Sequence, residues 1–359
     1  MDAMGRYLYG VISGGVAESF PLAGVVQFEA NSAQESAEIE RAHTVSWRDI
    51  SAVVTDAPVV DYAAMPKDAL ARLLVRHQQV IEKVMATHTI VPLRLGTCAE
   101  DDEQVRRILA SGYETIQDAL QKARGVVEID VTAILGDFDS FLSQIAQGPQ
   151  VTRLKQSVLN KPGGATVEDR VRIGMFVKQL ADREKQRLAE QIRAALVPLA
   201  EEFKAHDLMD DKMVLNTAFL LQKDQQEAFD RQVEALNAQS DDQLDFRCVG
   251  PLPPYSFYTL QVKKTDLEEV SWARRQLGLC DKSITTEAIK QAHRKVARTC
   301  HPDKNPDVPG IEKKFADMSR AYKILLDYYR TSGRTEHAKR SRGHEQTPEQ
   351  NAILVTTMK

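Results

Sequence analysis

The sequence predicts an α+β body followed by a small all-α module. Two observations lead there. From Arg6 to about Val262, short β-rich runs alternate with amphipathic helical stretches. From Glu268 to Leu326 only helical periodicity remains, in runs parted by a proline-bearing loop. Residues 331–359 are polar, rich in Arg, Lys, His and Glu, and predict a flexible tail in which Ile353-Leu354-Val355 is too short to pack alone.

Taken in order, Arg6–Ile12 is a β-rich run stopped by Ser13-Gly14-Gly15. Gly24–Phe28 predicts a second strand and Ile50–Thr55 a third. Pro66 stands where it opens a helix, and Leu70, Leu73, Leu74, His77, Ile81 and Val84 then keep a helical period. Thr89–Thr97 reads as a short strand, with Pro92 marking an edge or a strand start. Helices over Asp102–Leu109 and Tyr113–Ala123 lead into Gly125–Val131, which alternates apolar and acidic residues as a half-buried strand does. Strands interleaved in this way predict an α/β sandwich of ferredoxin-like type.

Beyond the breaker Lys161-Pro162-Gly163-Gly164, Thr166 with Glu168 and Asp169 marks a helix start, predicted to run nearly to Ala205 with a kink at Pro198. Leu188, Ile192, Leu196, Leu199 and Phe203 form its stripe, read as core packing, with a groove for a partner helix as the alternative. Met213–Leu221 reads as a buried strand, followed by a helix carrying Phe229, Val233 and Leu236. The three prolines of Gly250–Phe257 stiffen a loop between two strands, read as pinning Tyr255 and Phe257 into the core, with a recognition surface as the alternative.

In the all-α module, Ile289, Ala292, Val296 and Cys300 fall on one helix face. Lys290, Arg294 and Arg298 stack into a basic stripe on the other, with Lys295 beside it. Thr285 suits the N-cap and Glu287 the first turn. Pro302 ends the helix, so that His301 and Asp303 are presented together on a stiff loop. A second helix then carries Phe315, Met318, Ala321, Tyr322 and Leu325.

Composition narrows the function classes. With 359 residues, 43% hydrophobic and 27% charged, the chain supports two or three cores. A net charge of −4 gives no reason to expect nucleic acid as a partner. Cys98, Cys248, Cys280 and Cys300 form no CxxC pair, which argues against a disulfide framework or a metal site and fits a reducing cytoplasm. No apolar run has membrane-spanning length, and the N-terminus lacks a signal pattern. There is no phosphate-cradling glycine loop, metal-ligand cluster or nucleophile motif, so neither a cofactor nor an enzyme is expected.

Two resemblances sharpen these expectations. Leu277-Gly278, the basic helix, His301-Pro302-Asp303 and the Phe315–Leu325 helix together resemble the J domain of the DnaJ co-chaperone family. The resemblance implies docking onto a DnaK-type ATPase chaperone, with Lys290, Arg294, Lys295 and Arg298 supplying charge and His301, Pro302 and Asp303 the essential contact. His293 and Cys300 stand where that family usually has tyrosines. The body is similar to the GvpF/GvpL family of gas vesicle accessory proteins over roughly residues 5–262. Its carriers are Tyr7-Leu8-Tyr9-Gly10, His77 with Val80-Ile81, Val91–Thr97, Ile173-Gly174, Leu215–Leu220 and Gly250–Phe257. His77 reads as a satisfied core histidine and Arg94 as a strand-end salt-bridge partner. The expected domains are 1–136 and 137–265 for the body, 266–330 for the J domain, and 331–359 for the tail. The expected function is gas vesicle assembly, with shell and accessory proteins and a DnaK-type chaperone as partners, in the cytoplasm and at the gas vesicle.

Overall fold

The structure, a computed structural model, describes residues 4–26, 40–58, 65–161, 165–240, 243–265, 267–279, 285–300, 309–339 and 352–358. It is α+β and divides into two compact units, one running to Gln121 and resuming over Tyr258–Met358, the other Lys122–Phe257.

In the first unit, β1 (Met4–Ser13) lies inside an antiparallel sheet with β2 (Ser19–Pro21), β3 (Arg41–Trp47), β4 (Ile50–Pro58), β5 (Ile90–Pro92) and β6 (Cys98–Ala99). The order is β2-β3-β4-β1-β5, and β6 also pairs with β1. Tyr7, Leu8, Tyr9, Val11 and Ile12 are all buried, so β1 is covered on both faces, which its nearly continuous apolar run requires. The expected strand at Gly24–Phe28 is corrected as far as Val26: Leu22 accepts from the Val25 N–H to close a turn, and the strand sits earlier, at Ser19–Pro21. Gln27 and Phe28 lie outside the described residues.

Helix α1 (Lys67–Met85) begins after Pro66 and buries Leu73, His77, Ile81 and Val84 of the expected stripe, together with Val80. Leu70 and Leu74, expected on the same face, are exposed, because the buried face runs through Arg76 and Val80 instead. Helix α2 (Asp102–Ala123) is a single helix where two were expected. Ser111-Gly112 reads locally as a breaker but lies inside it, because the glycine is needed for a distant strand, described below.

The second unit is built on β7 (Val126–Leu135), β8 (Glu202–Ala205), β9 (Met213–Gln222) and β10 (Leu244–Leu252), antiparallel in the order β10-β7-β9-β8. The sequence reading groups much of β7 with residues 1–136. Its ladder partners are β9 and β10, and that pairing draws it into the second unit. Helices α3 (Phe138–Gln147) and α4 (Pro149–Leu159) precede the long α5 (Val167–Leu196). A capping box of Thr166 with Asp169 starts α5. The helix ends well before Ala205: Val197–Leu199 is a 3-10 turn containing Pro198, and Phe203 belongs to β8. Ile192 and Leu196 join Ile129, Val131, Phe219 and Phe229 in one core, and Leu188 and Leu199 pack against it. Helix α6 (Gln226–Gln239) supplies Phe229 and Val233. The short α7 (Tyr255–Tyr258) follows β10 and buries Phe257.

The all-α module is α8 (Leu267–Gln276), α9 (Thr286–Cys300) and α10 (Ile311–Lys339). It lies between β11 (Leu260–Thr265) and β12 (Ala352–Thr357), which pair antiparallel from Leu260–Thr357 to Thr265–Ala352. The expected tail 331–359 therefore needs correcting at both ends: α10 continues through Lys339, and Ile353-Leu354-Val355 has a ladder partner. The ribbon is anchored on the body of its unit. The Arg94 N–H donates to the Leu260 carbonyl at 2.8 Å, and the Ser111 hydroxyl donates to the Ile353 carbonyl. Val355 is buried and packs against Gly112, where a Cβ would stand 2.5 Å from its own.

Candidate functional site

The site predicted from sequence lies in the all-α module, and its scaffold forms as expected. Leu277-Gly278 closes α8 with Gly278 at φ +64°. The Leu279 N–H donates to Arg274 O at 2.9 Å and the Gly278 N–H to Arg275 O at 3.2 Å, the paired bonds of a Schellman stop. Thr285 caps α9, its hydroxyl accepting from the Ala288 N–H at 3.1 Å. Val270, Ala273, Leu277, Ile289, Ala321 and Leu325 form the buried core, and Trp272, Ala292 and Tyr322 pack on it. Cys300 is buried at the end of α9, and Met318 is buried on α10. His293 stacks on Tyr322 with ring centroids 4.3 Å apart, and burial pulls its pKa below the ordinary histidine value. It thus fills a tyrosine's place as a flat, largely neutral ring. Arg320 ties α10 to α8 through Glu269 at 2.5 Å and lies over the Trp272 ring.

This packing turns the other side of α9 outward. Arg294, Lys295 and Arg298 are exposed and Lys290 is half-buried. Four cations on one short helix can attract an acidic surface, and at that exposure they act more on encounter than on folding. His301, Pro302 and Asp303 lie outside the described residues and follow Cys300 directly in sequence.

Two polar clusters elsewhere were not predicted as clusters. In the first unit, Arg76 on α1 is fully buried. Its Nε donates to the Tyr9 hydroxyl at 3.0 Å and its Nη1 to Val26 O at 2.8 Å, and it pairs with Glu40. Next to it, His77 Nδ1 is 3.0 Å from the Tyr7 hydroxyl, which also accepts from the Gly96 N–H at 3.2 Å. Burial brings the His77 pKa down to about 4, against a hydrogen bond that its ring N–H donates to the Leu93 backbone carbonyl, so the ring is neutral at physiological pH. This is the satisfied core histidine its helical position predicts. Arg76 was legible too, three residues after Leu73 and four before Val80, as a charge at an inward position. Arg94 is exposed, and among the described residues its side chain makes no ion pair; it acts through its backbone bond to Leu260.

In the second unit, Ser256 clamps Glu128 of β7. Its N–H and its hydroxyl each donate to one carboxylate oxygen at 2.8 Å. His206 Nε2 lies 3.2 Å from the same hydroxyl, and Lys204 Nζ donates to Ser256 O at 3.0 Å. Glu128 is almost fully buried, and that desolvation, outweighing the Ser256 bonds, pushes its pKa up to about 7. The arrangement fastens the chain after the prolines at Ser256. Phe257 is buried as expected, whereas Tyr255 is only half-buried, and the expected loop is shorter, since β10 runs through Leu252 and α7 begins at Tyr255.

Among the described residues, no group of three or more His, Cys, Asp or Glu side chains is placed to hold a metal ion, and no helix is long and apolar enough to cross a membrane. Among the described residues, Cys98, Cys248 and Cys300 form no disulfide.

An antiparallel α+β body carrying a J-type helical module defines a class that comparison with known proteins makes explicit. Residues 5–259 match the family model described as gas vesicle synthesis protein GvpL/GvpF, and the chain belongs to that family. Residues 276–331 match the DnaJ domain. The chain is 25% identical over 260 residues to gas vesicle protein F of Microcystis aeruginosa, covering 72% of this chain and 99% of that one. It is 29% identical over 193 residues to gas vesicle protein F of a Nostoc species, covering 53% and 78%. Among solved structures, GvpF from an Anabaena species superimposes with a TM-score of 0.57 at 22% identity, over 70% of this chain and 97% of that chain, which bears on the fold.

Proposed function

We propose that the protein is a gas vesicle assembly adaptor: its body binds vesicle shell or accessory components, and its J domain recruits a DnaK-type ATPase chaperone to them. It acts in the cytoplasm and at the gas vesicle, as a binding protein rather than an enzyme. The observation that carries the reading is the outward basic face of α9, Arg294, Lys295 and Arg298, leading in sequence straight into His301-Pro302-Asp303. Family membership supplies the client side. An apolar shell subunit awaiting assembly exposes surface prone to aggregate, and a chaperone brought to it locally limits that.

In this reading Asp303 is the acceptor for a cationic group on the chaperone, and Pro302 sets its angle. Asp303→Asn should leave folding within about 0.5 kcal/mol of wild type. It should remove a charge-assisted bond of about 1.5–3 kcal/mol at the interface. The test is single-turnover ATP hydrolysis by the host DnaK with full-length wild-type and Asp303→Asn protein. Stimulation should collapse in the variant; equal stimulation by both would overturn chaperone recruitment.

A further inference from the structure

Helix α5 has two halves with different fates. Its C-terminal half, with Ile192 and Leu196, is built into the core of the second unit. Its N-terminal half carries an apolar stripe left open among the described residues: Val167, Val171 and Met175 are 74%, 56% and 68% exposed. These positions repeat at four-residue steps and so lie along one helix face. Against that face runs α4, and between the two is a groove of about 760 Å³ whose apolar lining is Leu154, Val167, Val171, Met175 and Phe176. Helix α3, which also packs along α5, has no buried residue. This part of the unit therefore exposes much of its apolar surface, which in soluble proteins marks an interaction site.

Gly174 is a second, independent observation. It falls on the same face, seven residues after Val167 and three after Val171. A glycine inside a helix is unfavourable relative to alanine. Among the described residues nothing lies within 4 Å of where its Cβ would be, outside the helix's own backbone, so no contact among them requires it. A glycine in the middle of an open apolar stripe lets another backbone come close.

Charge narrows the occupant. Between Pro149 and Arg187 there are nine Lys/Arg and four Asp/Glu, in a chain that overall has 47 Lys/Arg and 51 Asp/Glu. The groove lining holds Arg172 beside Glu168, and the adjoining pocket holds Arg183 beside an Arg187–Glu184 pair, so the excess of cations comes from the segment as a whole. Two copies apposed on this face would bring like charges together, so a second copy fits poorly. A concave slot between two helices suits a rod better than a flat lipid surface.

We infer that the α4–α5 groove is the docking site for an amphipathic helix of a gas vesicle component, apolar on one face and acidic along its edges. The inference rests on the proposed function for the source of that helix and on the geometry alone for its chemistry. Its probe is a labelled synthetic helix of about 18 residues, roughly 27 Å long, with a Leu/Ala face and Glu edges. A control peptide has Lys in place of Glu. Binding to the full-length protein is read by fluorescence anisotropy at low and raised salt.

The Glu-edged peptide should bind, and the Lys-edged one at least about tenfold more weakly. The double variant Val171→Glu with Met175→Glu, its fold checked by circular dichroism, should lose about tenfold or more. Gly174→Ala should raise the thermal midpoint while weakening the peptide. Equal binding of both peptides, or no effect of the double variant, would overturn the proposal. So would a lattice-free dimer that the double variant dissolves, which assigns the face to a second copy. Vesicles of phosphatidylcholine with phosphatidylglycerol that bind wild type and not the variant would assign it to lipid. Separately, vesicle components captured by wild type and equally by the double variant would sink the groove and spare the adaptor reading. Peptide binding without capture of any vesicle component would do the reverse.

Discussion

Arg76 and Glu128 show what single buried charges do in this fold, and each supports a measurement. The Arg76 guanidinium is satisfied by Tyr9, Val26 and Glu40. Removing its aromatic partner's hydroxyl with Tyr9→Phe should cost about 1 kcal/mol, whereas Arg76→Ala should cost about 2–5 kcal/mol, because a long buried side chain is lost and Val26 O and the Tyr9 hydroxyl each lose a donor. Urea unfolding of both variants checks the order. Glu128 gives a pH dependence. Its folded pKa, about 7, is above its unfolded value, so the native state holds a proton that the unfolded chain has released. The stability this contributes is fully present below about pH 4.5 and is lost as pH rises through about 7. Glu128→Gln should flatten that slope in urea titrations of the full-length protein across the window. His77 acts in the opposite sense: its pKa is held down, so its contribution is present above about 6.5 and lost as pH falls through about 4. Neither charge needed a motif to be noticed. Glu128 alternates with apolar neighbours on β7 and Arg76 sits on an apolar helix face, but which partners they meet depends on residues far away in sequence.

At the scale of elements, legibility follows the range of the forces that decide each one. Helices α1, α6 and α9 were legible because their apolar period is local, and α9 has its Thr285 cap besides. Strand β3 was missed because His43, Thr44 and Ser46 dilute its apolar signal, and pairing with β4 decides it. Helix α2 was split at Gly112 for the same reason in reverse: the glycine answers to Val355, a contact no local window contains. That contact carries a prediction. At an open helical site Gly→Ala stabilises by up to about 1 kcal/mol. Gly112→Ala should instead destabilise, because the added Cβ collides with Val355, and amide hydrogen exchange over residues 352–357 should speed up while α2 is unchanged. The helical scaffold of the J-type module was the most legible part of the molecule, since the Leu277-Gly278 stop, the Thr285 cap and the apolar periodicity are local. The α4–α5 groove was not, because only tertiary structure shows that half of the α5 stripe stays uncovered.

At the scale of the whole molecule, net charge and local charge act differently. The chain is slightly acidic, yet α9 presents Arg294, Lys295 and Arg298 outward. In the adaptor reading these cations govern how fast the chaperone is met. Charge reversal at Arg294 and Arg298 should slow association with the host DnaK in stopped-flow measurements, with a deficit that shrinks as salt rises. Asp303→Asn should keep the association rate and raise dissociation. A fragment of residues 1–265 retains the cores of the body but leaves β11 without its partner strand. It should fold by circular dichroism and yet self-associate in sedimentation, through the bare edge.

The β11–β12 ribbon has one further consequence. Thr265 and Ala352 face each other across the ladder, so everything between them leaves and re-enters the body at a single point. In this sense the J domain is a cassette spliced into a hairpin, and the hairpin can be closed without it. Joining Thr265 to Ala352 through Asn-Gly, the two-residue turn that suits the strand twist, should give a shortened protein with β12 still docked on α2. Such a protein should keep whatever the body binds and lose all stimulation of the chaperone, separating client from recruiter by one excision.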